Sequence, residues 1–125
     1  MGYRRSSSDL EWKKVKEEVA LRDRGVCRLC RCLTPVEMMI LRKNAGSLMD
    51  RVDPAHIIPV SENPYIMYEA SNIITLNRYS HSNLDSFKDP IDGHSITKEE
   101  VDKWWDRILR TNRVQYAEFK RITQE

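Results

Sequence analysis

His56, Asn72 and His81 stand in the middle of the chain, with carboxylates close by at Asp53 and Asp85. Histidine titrates near neutral pH, so its ring can take a proton from water or offer a neutral nitrogen to a metal ion. Asp85 follows His81 by four positions, and on a helix two such side chains share one face. An imidazole and a carboxylate together make a reasonable donor pair for a harder divalent ion. Asp53, just upstream of His56 on the same extended stretch, is a second candidate carboxylate. The chemistry these residue types allow is metal-assisted hydrolysis, with a base to deprotonate water and a cation to stabilise developing charge. Taken singly, each histidine is more often structural or solvated. Asp53 alone reads the same way, and Asp85 fits a helix-surface carboxylate as well as a ligand. His94, in Asp92-Gly93-His94-Ser95, lies in an evident turn and reads as a bystander.

The elements that must position these residues are legible in outline. A capping box at Ser8 and Glu11 predicts a helix to about Arg22, with Leu10, Val15 and Val19 on its inner face. Gly25 stops it, and Cys27-Arg28-Leu29-Cys30 follows as a tight turn. A short helix is expected from Pro35 to about Asn44, closed by Ala45-Gly46. Residues 48–60 read as extended, broken by Pro54 and Pro59, and 62–70 as a polar loop with room for one helical turn. Ile73 to Leu76 is β-like, and a helix is expected from about Ser80. Thr97 and Glu100 form another capping box, after which Val101, Trp104, Trp105, Ile108 and Leu109 recur at helical spacing. A last helix after Asn112 would carry Val114, Tyr116, Phe119 and Ile122. At this spacing the aromatics read as core rather than as a base-stacking platform.

The 125 residues suit one domain with a single modest core. A net charge of +2 hides an asymmetry, for residues 1–51 hold 12 Lys/Arg against 7 Asp/Glu and residues 52–125 hold 9 against 12. A basic front half is suited to a phosphate backbone, although solvated helix faces account for it equally simply. The longest apolar runs are far too short to span a bilayer. The basic start lacks an apolar stretch behind it, and Ser6 alone is weak support for myristoylation, so a cytoplasmic protein is expected. Three clustered cysteines, Cys27, Cys30 and Cys32, argue against a disulfide framework and toward a metal site or its remnant.

Three segments belong together: Ala55-His56-Ile57-Ile58-Pro59, Asn72-Ile73-Ile74-Thr75-Leu76 and His81-Ser82-Asn83-Leu84-Asp85. With the lead-in Arg22-Asp23-Arg24-Gly25-Val26-Cys27-Arg28-Leu29-Cys30, they resemble the HNH endonucleases, also called ββα-metal or His-Me finger nucleases. The resemblance covers roughly residues 20–87. It implies an α+β fold in which a short β-hairpin and a helix clasp one divalent ion, packed among several α-helices. The chain would be a single HNH nuclease domain over 1–125, with C-terminal helices over about 97–122. The implied activity is hydrolysis of DNA phosphodiester bonds by a one-metal mechanism. His56 would be the general base and His81 a metal ligand, while Asn72 would hold the loop between strand and helix and keep His56 in place. The ion would be Mg or Mn, with Zn or Ni as alternatives, and the partner DNA, met mainly through its backbone. The stand-alone size resembles phage-encoded members, for which packaging or repair proteins and the host cytoplasm are the implied setting.

Two departures from the family pattern matter. Many members carry an acidic metal ligand just before the base histidine, where this chain has Ala55, so the ion must be held by Asp85 or Asp53 beside His81. Members with a structural zinc carry a second Cys pair at positions matching Asn77 and Ser80, neither of them a zinc ligand of any strength. Cys27 and Cys30 would then be a zinc remnant, with Cys32 an uncertain third, or a turn kept by packing and hydrogen bonds. The competing function is a non-catalytic nucleic-acid-binding module on a degenerate HNH scaffold. A third reading is a zinc-binding adaptor for a protein partner.

Overall fold

The computed structural model describes residues 2–124, and side chains from Asp9 to Gln124. Among them are five α-helices and one two-stranded antiparallel sheet, an α+β arrangement. In chain order they are α1 (Gly2–Asp23), α2 (Pro35–Ala45), β1 (Val52–His56), β2 (Ile73–Asn77), α3 (Arg78–Asp85), α4 (Lys98–Leu109) and α5 (Arg113–Thr123). No helix among the described residues is long and apolar enough to cross a membrane.

Helix α1 starts earlier than the capping box at Ser8 predicts, running unbroken from Gly2, so Ser8 is interior to it. Its buried face also differs. Val15 and Val19 are 4% and 1% exposed, while Leu10 is 63% exposed and off the face. Trp12 takes its place, packing with Val15 and Val19 against Ile73 of β2. The helix ends where Arg24 (φ 57°) and Gly25 (φ 67°) turn left-handed, a conformation open to glycine at little cost.

Strand β2 is buried along its whole length. α1 covers one face and the main core the other, which is why it reads as a continuous apolar run rather than an alternation. It pairs with β1 in the register Val52↔Asn77, Asp53↔Leu76, Pro54↔Thr75, Ala55↔Ile74 and His56↔Ile73. Residues 46–50, in part expected to be extended, form a 3₁₀ turn before β1. Helix α3 begins at Arg78, two residues before the expected start, because the Asn77 side chain caps it by accepting from Ser80 N.

The predicted box at Thr97 and Glu100 is formed, and Val101, Trp105, Ile108 and Leu109 of α4 are buried in the core. Each such side chain contributes about 1.5–3 kcal/mol on burial. In α5 the expected stripe is rotated, for Val114 is 77% exposed and Gln115 is 3% exposed. Gln115 is drawn inward because its amide donates to the carbonyls of Ser71 and Ile73.

A polar clasp ties α2 to α4. Arg107 forks onto Glu37 (2.9 and 2.6 Å) and donates to the Cys32 carbonyl at 2.6 Å. The guanidinium holds the Glu37 carboxyl down at about 2, from an ordinary 4.5. A depressed carboxylate stabilises the fold above its unfolded value and loses that contribution as pH falls through the folded value. Glu37→Gln is therefore expected to cost about 1 kcal/mol at pH 7, after screening of a partly exposed pair. Urea unfolding should show the difference from wild type shrinking by more than half by about pH 3. A difference constant from pH 7 to pH 3 would exclude the ion pair as its source.

Candidate functional site

β1, β2 and α3 follow one another in space as strand, strand and helix, and Asp53, His56, Asn72, His81 and Asp85 lie on this unit or its loop, while Cys27 and Cys30 precede it. His56 closes β1. Its Nε2–H donates to the Met67 carbonyl at 2.9 Å, which fixes the tautomer and leaves Nδ1 with its lone pair. The ring stacks on Trp12 of α1, centroids 5.3 Å apart and planes 16° apart. Two contacts from distant chain segments thus set both the rotation of the imidazole and the nitrogen left to accept a proton.

Asn72 is fully buried. Its Oδ1 accepts from Ile58 N at 2.9 Å, and its Nδ2 donates to the carbonyls of Ile58 (3.1 Å) and Ile66 (3.4 Å). The loop it braces joins β1 to β2, not strand to helix as the resemblance implies. Because Ile58 is two residues past His56, the brace fixes the chain leaving the histidine.

His81 lies one turn into α3 and is flanked on both ring nitrogens. Nδ1 is 3.1 Å from Asp53 Oδ2, and Nε2 is 3.2 Å from Asp85 Oδ2. The hydrogen bond to Asp85, joined by that to Asp53, raises the His81 pKa above its ordinary value against the opposing effect of burial. Arg78, 2.9 Å from Asp53, and then His81 hold the Asp53 carboxyl below its ordinary value. Asp53 reaches His81 because it shares a face of β1 with Ala55, two residues on. Ala55 itself is wholly buried in the core.

Asp53, His81 and Asp85 are therefore brought together, but the two carboxylates sit on opposite sides of one ring. They share no single point with the imidazole from which all three could grip one ion. Nε2 of His81 and the Asp85 carboxylate, hydrogen-bonded as they stand, could hold a cation between them once the shared proton is displaced. Two ligands at right angles around an ion with bonds of about 2.1 Å stand about 3.0 Å apart, close to the spacing found. Asp53 instead holds Nδ1–H, as carboxylates behind metal-bound histidines do. Trp12, the Met67 carbonyl and Arg78 were not foreseen from the sequence. Trp12 is 44 positions from His56 on another element, and a backbone carbonyl leaves no residue-type signal at all.

Among the described residues, one other group brings metal-binding atoms together. Asp89, Asp92 and His94 place one ligand atom each within 4.8 Å of the others, in the turn where His94 reads as a bystander. His94 Nδ1 is 2.5 Å from Asp92 Oδ1, and Asp89 Oδ1 accepts from the backbone of Ile91 and Asp92. The group is a possible metal-binding one, of no defined metal.

Among the described residues the three cysteine sulfurs do not come together as one ligand group, although the Cys30 thiol bonds to Cys27. Cys32 donates to the Leu29 carbonyl at 3.1 Å. Cys27 is buried, and its sulfur accepts from Asn77 N at 3.2 Å and Asn77 Nδ2 at 3.4 Å. A hydrogen bond from the Cys30 thiol, with those from Asn77, draws the Cys27 thiol below its ordinary value against burial. Asn77 also donates to Ser80 Oγ (3.0 Å), which in turn donates to the Pro90 carbonyl (2.9 Å). Where a second cysteine pair would stand, a chain of hydrogen bonds joins the turn to the start of α3. Comparison of the chain with protein-family models, with curated proteins and with solved structures gives no match.

Proposed function

We propose that this protein is a metal-dependent endonuclease of the HNH type, hydrolysing DNA phosphodiester bonds with His56 as general base. The observation that carries this reading is the state of His56. Its Nε2–H is committed to Met67 O, its plane is held by Trp12, and its free Nδ1 belongs to a residue lining an open cleft together with Asp85. A structural histidine has no need of an unused acceptor on a residue that lines a cleft. The strand–strand–helix order and the motif residues His56, Asn72 and His81 support the reading further.

In this mechanism His56 Nδ1 takes a proton from the attacking water, and Met67 O keeps the second ring proton in place as charge develops. Asn72 holds the backbone after His56 so that the ring does not swing. His81 Nε2 and Asp85 would hold one divalent ion, Mg or Mn, with Asp53 and Arg78 orienting His81 from behind. When bound, such an ion stabilises the negative charge that builds on the phosphate and the leaving oxygen. DNA would be met mainly through its backbone, where α1 contributes the exposed Lys13, Lys14 and Lys16.

Supercoiled plasmid incubated with the protein and Mn²⁺ should be nicked or linearised, and excess chelator should stop the reaction. Asp85→Asn is expected to weaken Mn²⁺ binding, measured calorimetrically, by roughly tenfold or more, with DNA binding nearly unchanged and activity partly restored by extra Mn²⁺. Cleavage indifferent to chelator would sink the metal-dependent reading. The competing reading, a non-catalytic nucleic-acid-binding module, is favoured by one observation. Ala55 occupies, wholly buried, the place where many family members carry an acidic ligand. Plasmid binding without cleavage under any divalent ion would establish that alternative.

A further inference from the structure

The cleft beside His56 has a volume of about 460 Å³ and an apolar floor that includes Leu84, Val101, Trp105 and Leu109. Ligand pockets in general run to roughly 300–1,000 Å³, so a cleft of this size has room for a small organic group. At its lip stands Phe87, 50% exposed although aromatic. Its backbone is left-handed, at φ 56°, which is uncommon for any residue but glycine and an outlier for a bulky one. Backbone bonds pin it there, from Phe87 N to Leu84 O (3.3 Å) and from Ile96 N to Phe87 O (2.9 Å). It is the left-handed residue that closes α3, where Lys88 N also bonds back to Asn83 O (2.8 Å), a helix-end position that glycine or asparagine usually fills. Here the turn holds a flat apolar ring at the edge of the cleft, two residues from Asp85.

The charges around the cleft decide what enters it. Glu62, Asp85, Asp102 and Asp106 line it against Lys98 and Lys120, so a phosphate gains little by going inside. Asp102 is engaged by Lys98 at 3.6 Å, and Asp106 by Arg110 and the Tyr116 hydroxyl. Asp85 is engaged by His81 at 3.2 Å, which leaves Glu62 as the acceptor lining an apolar chamber. A neutral planar ring bearing N–H donors matches that lining. We propose that the cleft receives one nucleobase swung out of the stack beside the scissile phosphate, with Phe87 as its stacking face. The preferred substrate is then DNA with unpaired bases, such as single strands, mismatches or branches, because their bases leave the stack at least cost. The proposal rests on the nuclease reading for its choice of ligand.

The test measures binding, with chelator present so that nothing is cut. Fluorescently labelled oligonucleotides, single-stranded, fully paired or carrying one mismatch, are titrated with the full-length protein and followed by anisotropy. The unpaired forms should bind about tenfold or more tightly than the perfect duplex. Phe87→Asn suits the position, since asparagine accepts a left-handed backbone, and removes only the ring. It should weaken binding of the unpaired forms by roughly 5- to 150-fold, the range for loss of a base–aromatic stack, and leave the duplex within about twofold. Phe87→Tyr should restore the preference. Equal affinity for paired and unpaired DNA, or unpaired DNA bound equally well by wild type and Phe87→Asn, would overturn the base cleft. Plasmid cleavage by the wild type separates the two ideas. Cleavage with no Phe87 effect leaves the nuclease and removes the cleft. A Phe87-dependent preference without cleavage leaves the cleft as a binding site and removes the nuclease. Failure of the oligonucleotides to bind at all removes both, and points to a protein side chain as the occupant.

Discussion

His56→Ala should lower plasmid cleavage by about 10²–10⁴-fold, the usual contribution of a general base, while thermal stability and DNA affinity stay close to wild type. The imidazole is only partly buried, and its removal leaves no buried charge or unpaired core group. The one polar atom that loses a partner is the Met67 carbonyl. The loss should fall on kcat rather than KM, because the base acts in the transition state and makes no contact that binding of the backbone requires. Initial rates over a range of plasmid concentrations, with folding checked by circular dichroism, provide the test. Cleavage within a factor of a few of wild type would mean that another group takes the proton.

On stability, the largest effect should come from Asp23→Ala. The Asp23 side chain is wholly buried and bonded to Arg28 at 2.7 Å, Arg22 at 2.8 Å and Thr75 N at 3.0 Å. Burial by itself would raise its pKa, but the bonds from Arg22, Thr75 and Arg28 together outweigh it and hold the carboxyl below its ordinary value. Arg28 is 1% exposed and reaches on to Thr111 and Gln115 of the C-terminal helices. Removing the carboxylate leaves this guanidinium buried without its counter-charge, a loss of about 3–5 kcal/mol. A domain of this size has about 5–15 kcal/mol in all, so the variant should melt at least about 10 °C lower or fail to fold. A loss under about 1 kcal/mol would mean that water or a rearranged Arg28 replaces the pair. Since the folded carboxyl is depressed, its contribution is present above the ordinary Asp value and fades as pH falls through the folded one.

These two residues differ in how far the chain discloses them. His56 belongs to a local string, His-Ile-Ile-Pro, with Asn72 and His81 at a telling spacing behind it, so its candidacy is written in residue types. Asp23 stands at the end of a helix among charged neighbours and looks like a solvated carboxylate. Only the tertiary fold closes Thr75 and Arg28 around it. The same divide runs through the elements. Thr97 and Glu100 announce α4 because a capping box is local chemistry. The buried Gln115 in place of Val114 depends on carbonyls of Ser71 and Ile73 more than forty residues away. Ser8 and Glu11 look like a capping box that starts a helix, yet α1 runs through Ser8. Around His81, Asp85 was reachable through the four-residue helical spacing. The division of labour between Asp85 and Asp53 was not, because it depends on which ring nitrogen each carboxylate meets.

The most direct test of the account is to locate the ion. Crystals of the full-length protein soaked in Mn²⁺ and measured at the manganese absorption edge should give an anomalous peak within about 2.0–2.6 Å of the Asp85 carboxylate and beside His81 Nε2, with Asp53 still on Nδ1. A peak confined to Asp89, Asp92 and His94, with Asp85 turned to solvent, would contradict the proposed one-metal site.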